Sequence, residues 1–154
     1  MGTSDRISTS QFRDKYVQLA QDMDLFHGIP PDVLVKVMSL GLTKAVEKDT
    51  LIFNKGDLGD SMYVILAGKV EVIDHNKVIA SLERGDMFGE MGLLSREPRS
   101  ATAIAREDTS LFILSENALN KLLTKTVAIR LLLNTIGEIS SRLRKANRML
   151  SERG

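Results

Sequence analysis

The chain has 154 residues, of which 43% are hydrophobic and 27% are charged, and its formal net charge is +1. This composition is typical of a globular protein, and the small net charge gives no overall field that would attract nucleic acid. Because cysteine is absent and no run of about 18 apolar residues occurs, the sequence predicts no disulfide, no thiolate metal site and no membrane span. We expect a cytoplasmic domain with one appended element and without a bound metal.

Two helices are predicted before the central region. Residues 1–9 are polar and are expected to be flexible, whereas 10–24 has the pattern of an amphipathic helix. Its apolar residues recur at spacings of four, three and four: Phe12, Tyr16, Leu19 and Met23. A second helix should begin at residues 30–32, because proline suits a first helical turn, and should end near Gly41.

From about Leu42 to Leu114 the hydrophobic period changes to two, and turn residues recur every eight to ten residues. The segments that read as strands are LTKAVE, TLIFNK, MYVILAG, KVEVID, KVIASLE, ATAIARE and SLFILS, with a further short strand ending at Phe88. Short strands at this even spacing predict a mainly β fold with flanking helices. We expect an eight-stranded antiparallel β jelly roll, a double-stranded β-helix.

The end of the chain is predicted to be helical. Ser115 should cap a short helix through Leu119 and Leu122, and 127–152 reads as one long helix. Its apolar residues alternate at three and four: Ile129, Leu132, Ile136, Ile139, Leu143, Ala146 and Leu150. This heptad pattern fits either a helix packed on its own barrel or a parallel homodimer through residues 129–150. Glu138 and Arg142 also have the spacing of a favourable ion pair within one helix.

The stretch FGEMGLLSREPRSAT, residues 88–102, has the features of an anion-binding turn. A strand ending at Phe88 and Gly89 leads into a short helix at 90–94, whose free N–H groups and dipole attract an anion. Gly89 and Gly92 would let a ligand approach the main chain closely, and Leu93 would anchor the helix in the core. We therefore predict a short phosphate-binding helix here.

Two charged side chains in this stretch suit different parts of one ligand. The planar guanidinium of Arg99 can hold a phosphate with two parallel hydrogen bonds. The carboxylate of Glu90 would repel a phosphate but can accept a hydrogen bond from a sugar hydroxyl. A ribose hydroxyl beside a phosphate describes a cyclic nucleotide. The alternative is that Glu90 and Arg99 form a structural salt bridge on a tight turn.

FGEMGLLSREPRSAT closely resembles the phosphate-binding cassette of cyclic nucleotide-binding domains. This family includes bacterial catabolite activator proteins, kinase regulatory subunits and cyclic-nucleotide-regulated channels. The stretch LIFNKGDLGDSMYVILAGKVEV, with its glycine-aspartate loop at 56–60 and the turn at Gly68, is also similar to the family, as is LFHGIPPDVLVKVMSLG. The resemblance is strong over about residues 24–124 and looser over the last helix.

The resemblance implies roles for the residues of the cassette. Glu90 would bind the ribose 2′-hydroxyl and Arg99 the cyclic phosphate. The main chain near Gly89, Met91 and Ala101 would hold the remaining phosphate and sugar atoms.

The resemblance constrains the choice of base and the contacts of the final helix less than it constrains the cassette. Ser100 leaves the choice of base open, and we expect cyclic AMP in preference to cyclic GMP. Since the family's last helix closes over the pocket, Arg144 and Asn147 are candidate base contacts, although they equally suit a solvated basic helix end. The full set of candidate ligand-binding residues is Phe88, Gly89, Glu90, Met91, Gly92, Leu93, Arg99, Ser100, Ala101, Arg144 and Asn147.

These patterns predict a non-catalytic regulatory domain. Residues 10–124 would bind the cyclic nucleotide, and 125–154 would form a lid or dimerisation helix that moves on binding and signals to an unidentified protein partner. Because the chain carries no helix-turn-helix after this helix, we expect no direct DNA binding. The competing hypothesis is a degenerate, ligand-free dimeric scaffold. Hydrolysis of a phosphodiester is disfavoured, since no metal site or nucleophile pair is indicated.

Overall fold

The computed structural model describes Gln18, Gln21 and residues 23–91, 97–121 and 125–152. Gln18 and Gln21 are helical, and the rest of the predicted helix up to residue 22 lies outside the described residues. Met23 has extended main-chain angles and precedes a 3-10 helix, Asp24–Phe26. Within the described ranges, no helix is both long enough and apolar enough to span a bilayer.

Eight antiparallel strands form two four-stranded sheets, which confirms the predicted jelly-roll fold. The strands are β1 (Leu42–Val46), β2 (Leu51–Phe53), β3 (Ser61–Ala67), β4 (Lys69–Asp74), β5 (Lys77–Glu83), β6 (Met87–Phe88), β7 (Thr102–Ala105) and β8 (Thr109–Ser115). One sheet has the order β1-β8-β3-β6 and the other β2-β7-β4-β5. The turn between β4 and β5 consists of His75 and Asn76, both at positive φ, as expected for a two-residue hairpin turn.

The alternation of side chains along β3 builds two cores, one on each side of its sheet. Tyr63 and Ile65 point between the two sheets, where they join Phe88 of β6. Met62 and Val64 point to the other side, into a cluster covered by the helices. Because both faces are buried, this strand reads as an almost continuous apolar run. Because β3 pairs with β6, it also places Phe88, at the end of β6, between the two sheets.

In the part of the chain that the structure describes, the helices that flank the sheets include α1 (Pro31–Leu40), α2 (Glu116–Lys121) and α3 (Lys125–Glu152). Helix α1 begins at proline and ends just before Gly41, as predicted. The predicted cap of α2 is also confirmed, because the N–H of Ala118 donates to Oγ of Ser115 at 3.1 Å. Leu122 lies outside the described residues.

Helix α3 packs on its own domain through a stripe that differs from the predicted heptad pattern. Leu131 and Thr135 are each 4% exposed, and Ile139 packs against the same core from a partly buried position. Asn134 fastens this part of the helix, since its Nδ2 donates to the carbonyl oxygens of Leu25 at 2.6 Å and His27 at 3.0 Å. Other members of the heptad pattern are exposed in the single chain: Ile129, Leu132, Ile136, Leu143 and Leu150.

Candidate ligand-binding site

A cavity of about 500 Å³ opens between the strands of the second sheet, the end of β6, the segment 97–101 and helix α3. This volume lies in the range of small-molecule sites. Part of the lining is apolar and part is charged. The apolar side chains are Phe53, Val72, Ala80, Leu82 and Phe88, and the charged ones are Asp86, Glu90, Arg99, Arg142 and Lys145.

The guanidinium of Arg99 is held in one orientation at this cavity. The residue is 7% exposed. Its Nη1 donates to the carbonyl oxygen of Gly89 and its Nη2 to that of Ser61, both at 2.8 Å. The guanidinium carbon lies 4.4 Å from the ring centroid of Phe53, close enough for a cation–π contact worth about 0.5–2 kcal/mol. Hydrogen bonds and stacking together leave Arg99 little freedom to rotate.

The loop at residues 56–60 positions the main chain of Arg99. The N–H of Gly56 donates to the Arg99 carbonyl oxygen at 2.7 Å, and the Arg99 N–H donates to the carbonyl oxygen of Asp57 at 2.8 Å. A Cβ atom on Gly59 would lie 2.4 Å from Nη2 of Arg99, so only glycine fits beside the guanidinium. The sequence indicated this loop by resemblance but assigned it no role. Its role in the structure is to support Arg99.

Gly89 must be glycine for two reasons. Its φ of +73° lies in the left-handed region that residues with a side chain rarely adopt. A Cβ atom there would also lie 2.8 Å from Nη1 of Arg99. The main chain therefore turns sharply at Gly89, between the end of β6 and Glu90. Glu90 is the first helical residue of the cassette.

The carboxylate of Glu90 pairs with Arg142 of helix α3 and not with Arg99. Glu90 is 9% exposed, and its Oε1 accepts a hydrogen bond from Nη1 of Arg142 at 3.1 Å. Nη2 of Arg142 donates to the carbonyl oxygen of Met87 at the end of β6. The structure thus does not form the alternative Glu90–Arg99 salt bridge that the sequence left open. Instead, Arg99 and Arg142 have separate partners.

The structure brings together most, but not all, of the predicted site residues. Phe88, Gly89, Glu90, Met91, Arg99, Ser100 and Ala101 line the cavity. Gly92 and Leu93 lie outside the described residues. Arg144 and Asn147 are on the exposed end of α3 and are absent from the described lining, where the helix contributes Arg142 and Lys145. This face of helix α3 could have been recognised in the sequence from four residues at spacings of four, three and four: Leu131, Thr135, Glu138 and Arg142.

A carboxyl pair lies one helical turn before Arg142. Burial raises the pKa of Glu138 above its ordinary value, and the neighbouring carboxyl group of Asp24, with which it hydrogen-bonds, raises it further. The positive charge of Arg142 acts in the opposite direction. Glu138 and Asp24 therefore join helix α3 to the 3-10 helix through a contact that is most favourable when a proton is bound.

The site offers an anion a fixed guanidinium and offers a hydroxyl a buried carboxylate. Arg99 and Glu90 come from the two ends of one short segment, and apolar side chains form the rest of the wall. Within the described ranges, no group of three or more histidine, aspartate or glutamate residues could hold a metal ion. The arrangement suits binding of an anionic ligand that carries a hydroxyl and an apolar ring.

Comparison with known proteins agrees with this geometry. The family model described as "Cyclic nucleotide-binding domain" matches residues 43–126, more than half of the chain. The chain is 37% identical over 95 residues to the cyclic AMP receptor protein of Thermus thermophilus, covering 58% of this chain and 44% of that protein. It is 34% identical over 100 residues to human Rap guanine nucleotide exchange factor 3, covering 64% of this chain and 11% of that protein. The matches thus span less than half the length of these relatives.

A solved structure shows the same architecture over nearly the whole chain. The cyclic nucleotide-binding domain from Methylobacillus flagellatus superposes with a TM-score of 0.80 at 25% identity, covering 92% of this chain and 84% of that one. The family match includes β2, β6 and the segment that carries Arg99, the elements that build the cavity. The chain therefore belongs to the cyclic nucleotide-binding domain family.

Proposed function

We propose that this protein binds cyclic AMP as a non-catalytic regulatory domain. The observation that carries the proposal is Arg99, a buried guanidinium fixed by two carbonyl oxygens and an aromatic ring at the wall of a cavity of about 500 Å³. A cation held in this way needs little reorganisation to receive a phosphate. Burial of this guanidinium destabilises the folded chain, and an anion bound in the cavity would offset that cost.

The proposed contacts follow from the chemistry of the lining. Arg99 holds the cyclic phosphate, and Glu90 accepts a hydrogen bond from the ribose 2′-hydroxyl. The main chain at Gly89, Met91 and Ala101 lies beside the sugar and phosphate. The apolar side chains of β4 and β5 in the lining supply the wall against which a base would stack.

Cyclic AMP is preferred to cyclic GMP in this proposal. The lining of the base wall is apolar at Val72, Ala80 and Leu82, and Ser100 is exposed beside the cavity. The name of the Thermus relative, a cyclic AMP receptor protein, supports the same choice. Cyclic GMP is the alternative ligand, since the Ser100 hydroxyl can donate or accept a hydrogen bond.

The first experiment is a calorimetric titration with cyclic AMP and with cyclic GMP. We expect saturable binding with a higher affinity for cyclic AMP. Arg99→Ala should weaken binding by about 100-fold or more, because two charge-assisted hydrogen bonds are lost. Arg99→Lys retains the charge without the planar fork and should bind with intermediate affinity.

A matched control removes one positive charge from an exposed position of helix α3. Arg148→Ala should bind like the unaltered chain, because Arg148 is exposed and outside the described lining. Binding of neither nucleotide by the correctly folded chain would contradict the proposed function. Equal loss in Arg148→Ala and Arg99→Ala would show that the overall charge, and not the site, attracts the ligand.

Ligand capture is proposed to reposition helix α3. The helix reaches the cavity through Arg142 and Lys145, so a ligand that meets these side chains has different affinities for different helix positions. Because the chain has no cysteine, single-cysteine pairs can be labelled without background. The distance between spin labels at Lys48 and Arg148 should change when cyclic AMP is added. An unchanged distance at saturation would contradict the movement.

A homodimer through residues 129–150 is proposed on the exposed heptad side chains of α3. Ile136 is 55% exposed and Leu143 60% exposed, an unusual state for large apolar side chains at heptad spacing. Sedimentation velocity should show a dimer that the pair Ile136→Glu and Leu143→Glu converts to a monomer, whereas Arg148→Glu should not. A dimer that binds neither nucleotide would favour the ligand-free scaffold. In that case residues 10–124 would bind no nucleotide, and residues 125–154 would carry the function through dimerisation.

The cytoplasmic location and a downstream protein partner also remain proposals. Both are consistent with a regulatory domain that responds to a nucleotide. A tagged chain expressed in a host cell would test both, because cell fractionation would show its location and cross-linking would capture a protein partner. We propose no direct contact of this chain with DNA.

A further inference from the structure

Three residues of helix α3, each one turn from the next, define the face that the helix turns toward the domain. Asn134 donates to two carbonyl oxygens, one in the 3-10 helix and one just after it. Arg142 donates to two acceptors, one at the start of β6 and one at the start of the cassette. Because residues four apart share a helix face, Glu138 lies between these two sets of contacts. It therefore faces the region where the 3-10 helix meets the turn before β6.

The two elements that meet opposite Glu138 each carry an aspartate. Asp24 is the first residue of the 3-10 helix, and Asp86 is the last residue before β6. The elements pack against each other, since a Cβ atom on Gly85 would lie 4.0 Å from Cγ of Met23. Met23 is 4% exposed and belongs to the core cluster under helix α3. Three carboxyl groups from three separate elements thus converge, and we call them the carboxyl junction.

The positive charge nearest to the carboxyl junction has another partner. Arg142 lowers the pKa of Glu138, but its guanidinium forms an ion pair with Glu90 at 3.1 Å. Oδ2 of Asp86 accepts the N–H of the third residue before it, which holds this carboxylate in the turn. The other titratable residues of the facing segments and of this side of α3 are exposed: His27, Glu83, Arg84, Arg130 and Lys145.

A junction of this kind favours a bound proton. Burial raises the pKa of Glu138 above its ordinary value, and the charges of Asp24 and Asp86 raise it further. These neighbours surround Glu138 only when α3 is docked, so the docked helix holds a proton more tightly than the undocked helix. Docking is therefore favoured most below the ordinary pKa of a glutamate, and the gain is lost as pH rises through the raised value.

We propose that Asp24, Asp86 and Glu138 form a proton-sensitive junction that loosens helix α3 at neutral pH, and that its protonation strengthens docking and raises the affinity for cyclic AMP. The effect on affinity rests on the proposed function, whereas the effect on docking does not. Docking matters to the ligand because α3 carries Arg142 and Lys145 to the cavity. By reciprocity, cyclic AMP increases proton binding at the junction.

The first measurement uses the ligand-free chain with spin labels at Lys48 and Arg148. As pH falls from about 7.5 to about 5, the distance distribution should shift toward the docked helix, because a carboxyl group with a raised pKa gains its proton in this range. Glu138→Gln, which is neutral at both pH values, should give the docked distribution at both. Glu152→Gln makes the same change at an exposed position of α3 and should retain the shift. A distribution that is the same at both pH values would overturn the inference.

The second measurement is a calorimetric titration with cyclic AMP at the same two pH values. The unaltered chain should bind about twofold more tightly at the lower pH, the size expected for partly exposed charges. Glu138→Gln should bind at both pH values as tightly as the unaltered chain does in acid. Asp24→Asn removes the facing charge and should also reduce the pH dependence. His27→Gln should retain it, although a histidine titrates in this range.

The outcomes separate the inference from the proposed function. Equal affinity for cyclic AMP at both pH values would overturn the inference alone. A pH dependence that persists in Glu138→Gln, or that disappears in His27→Gln, would also overturn it, because another group would then be responsible. Absence of binding by the unaltered chain would contradict the proposed function, and the label distances alone would then decide whether the junction controls docking. If Glu138→Gln does not give the circular dichroism of the folded chain, Asp24→Asn decides.

Discussion

At the scale of single residues, the site depends on what surrounds Arg99 as much as on Arg99 itself. Its two donors meet the carbonyl oxygens of Gly89 and Ser61, and its plane lies on Phe53. Gly59 closes the remaining side, because any Cβ there would collide with the guanidinium. These neighbours fix the cation before a ligand arrives, which lowers the cost of binding.

We predict that Gly59→Ala weakens cyclic AMP binding by about tenfold or more without removing any group that contacts the ligand. The added methyl group would lie 2.4 Å from Nη2 of Arg99, so the guanidinium must shift, and displacements of about 1 Å are costly in such sites. Calorimetric titration measures the loss.

Gly137→Ala is the matched control for this substitution. Gly137 lies in helix α3, and nothing lies within 4 Å of the position of its Cβ. Ligand affinity should be retained, and the helix should be stabilised by about 0.5–1 kcal/mol, because alanine is the better helix former. Unchanged affinity in Gly59→Ala would contradict the role given to the loop.

At the scale of elements, helix α3 is joined to the domain by the bonds of Arg142 to Glu90 and Met87 and by two further, unlike contacts. One is apolar, through Leu131, and is supported by the hydrogen bonds of Asn134 to the carbonyl oxygens of Leu25 in the 3-10 helix and of His27 just after it. The other is the carboxyl pair of Glu138 and Asp24, whose mutual repulsion opposes docking when both are ionised. Of these two contacts, the apolar one stabilises the docked helix, whereas the carboxyl pair opposes docking when both groups are ionised.

This carboxyl pair predicts a pH dependence of stability. The folded-state pKa of Glu138 is raised, chiefly by burial, so its favourable contribution is complete below the ordinary pKa of a glutamate and is lost as pH rises through the raised value. Glu138→Gln should thus stabilise the protein at neutral pH but not in acid. The effect should be about 0.5 kcal/mol or less, because the carboxyl group is only partly buried and solvent screens part of its charge.

Urea unfolding at about pH 4 and about pH 7.5 measures this difference, since the first value lies below the ordinary pKa of a glutamate and the second well above it. Glu152→Gln, an exposed position on the same helix, should show the same change in stability at both pH values. If Glu138→Gln stabilises equally at both, the carboxyl pair is not the cause.

At the scale of the whole molecule, ligand binding should appear as added stability. Cyclic AMP at 100 times its Kd should stabilise the folded chain by about 2.7 kcal/mol, if it does not bind the unfolded chain. For a chain of this length that corresponds to a rise in Tm of about 5–10 °C. Because its Kd should be about 100-fold or more higher, Arg99→Ala should show a rise of about 2 °C or less at the same concentration. A rise of equal size in this variant would mean that the nucleotide binds elsewhere.

Much of the fold could be predicted because its signals are local. The alternation of residues along β3 and the turn at His75 and Asn76 depend on neighbours in the chain, and both agree with the structure. The same holds for Ser115, whose side chain caps the N–H of a residue three positions later. Such features need only a few residues and their stereochemistry.

The sequence by itself determined the jelly-roll fold and the chemical character of Glu90 and Arg99, since residue type and short-range spacing carry that information, and it predicted the phosphate-binding cassette by resemblance. The tertiary structure alone decided which cation pairs with Glu90. It also decided that the loop at 56–60 supports Arg99, and which face of helix α3 is buried. The physical reason is that these contacts join residues about 40 or more positions apart in sequence, so they depend on how whole elements pack. Arg142 reaches Glu90 only after the helix has docked on the sheet.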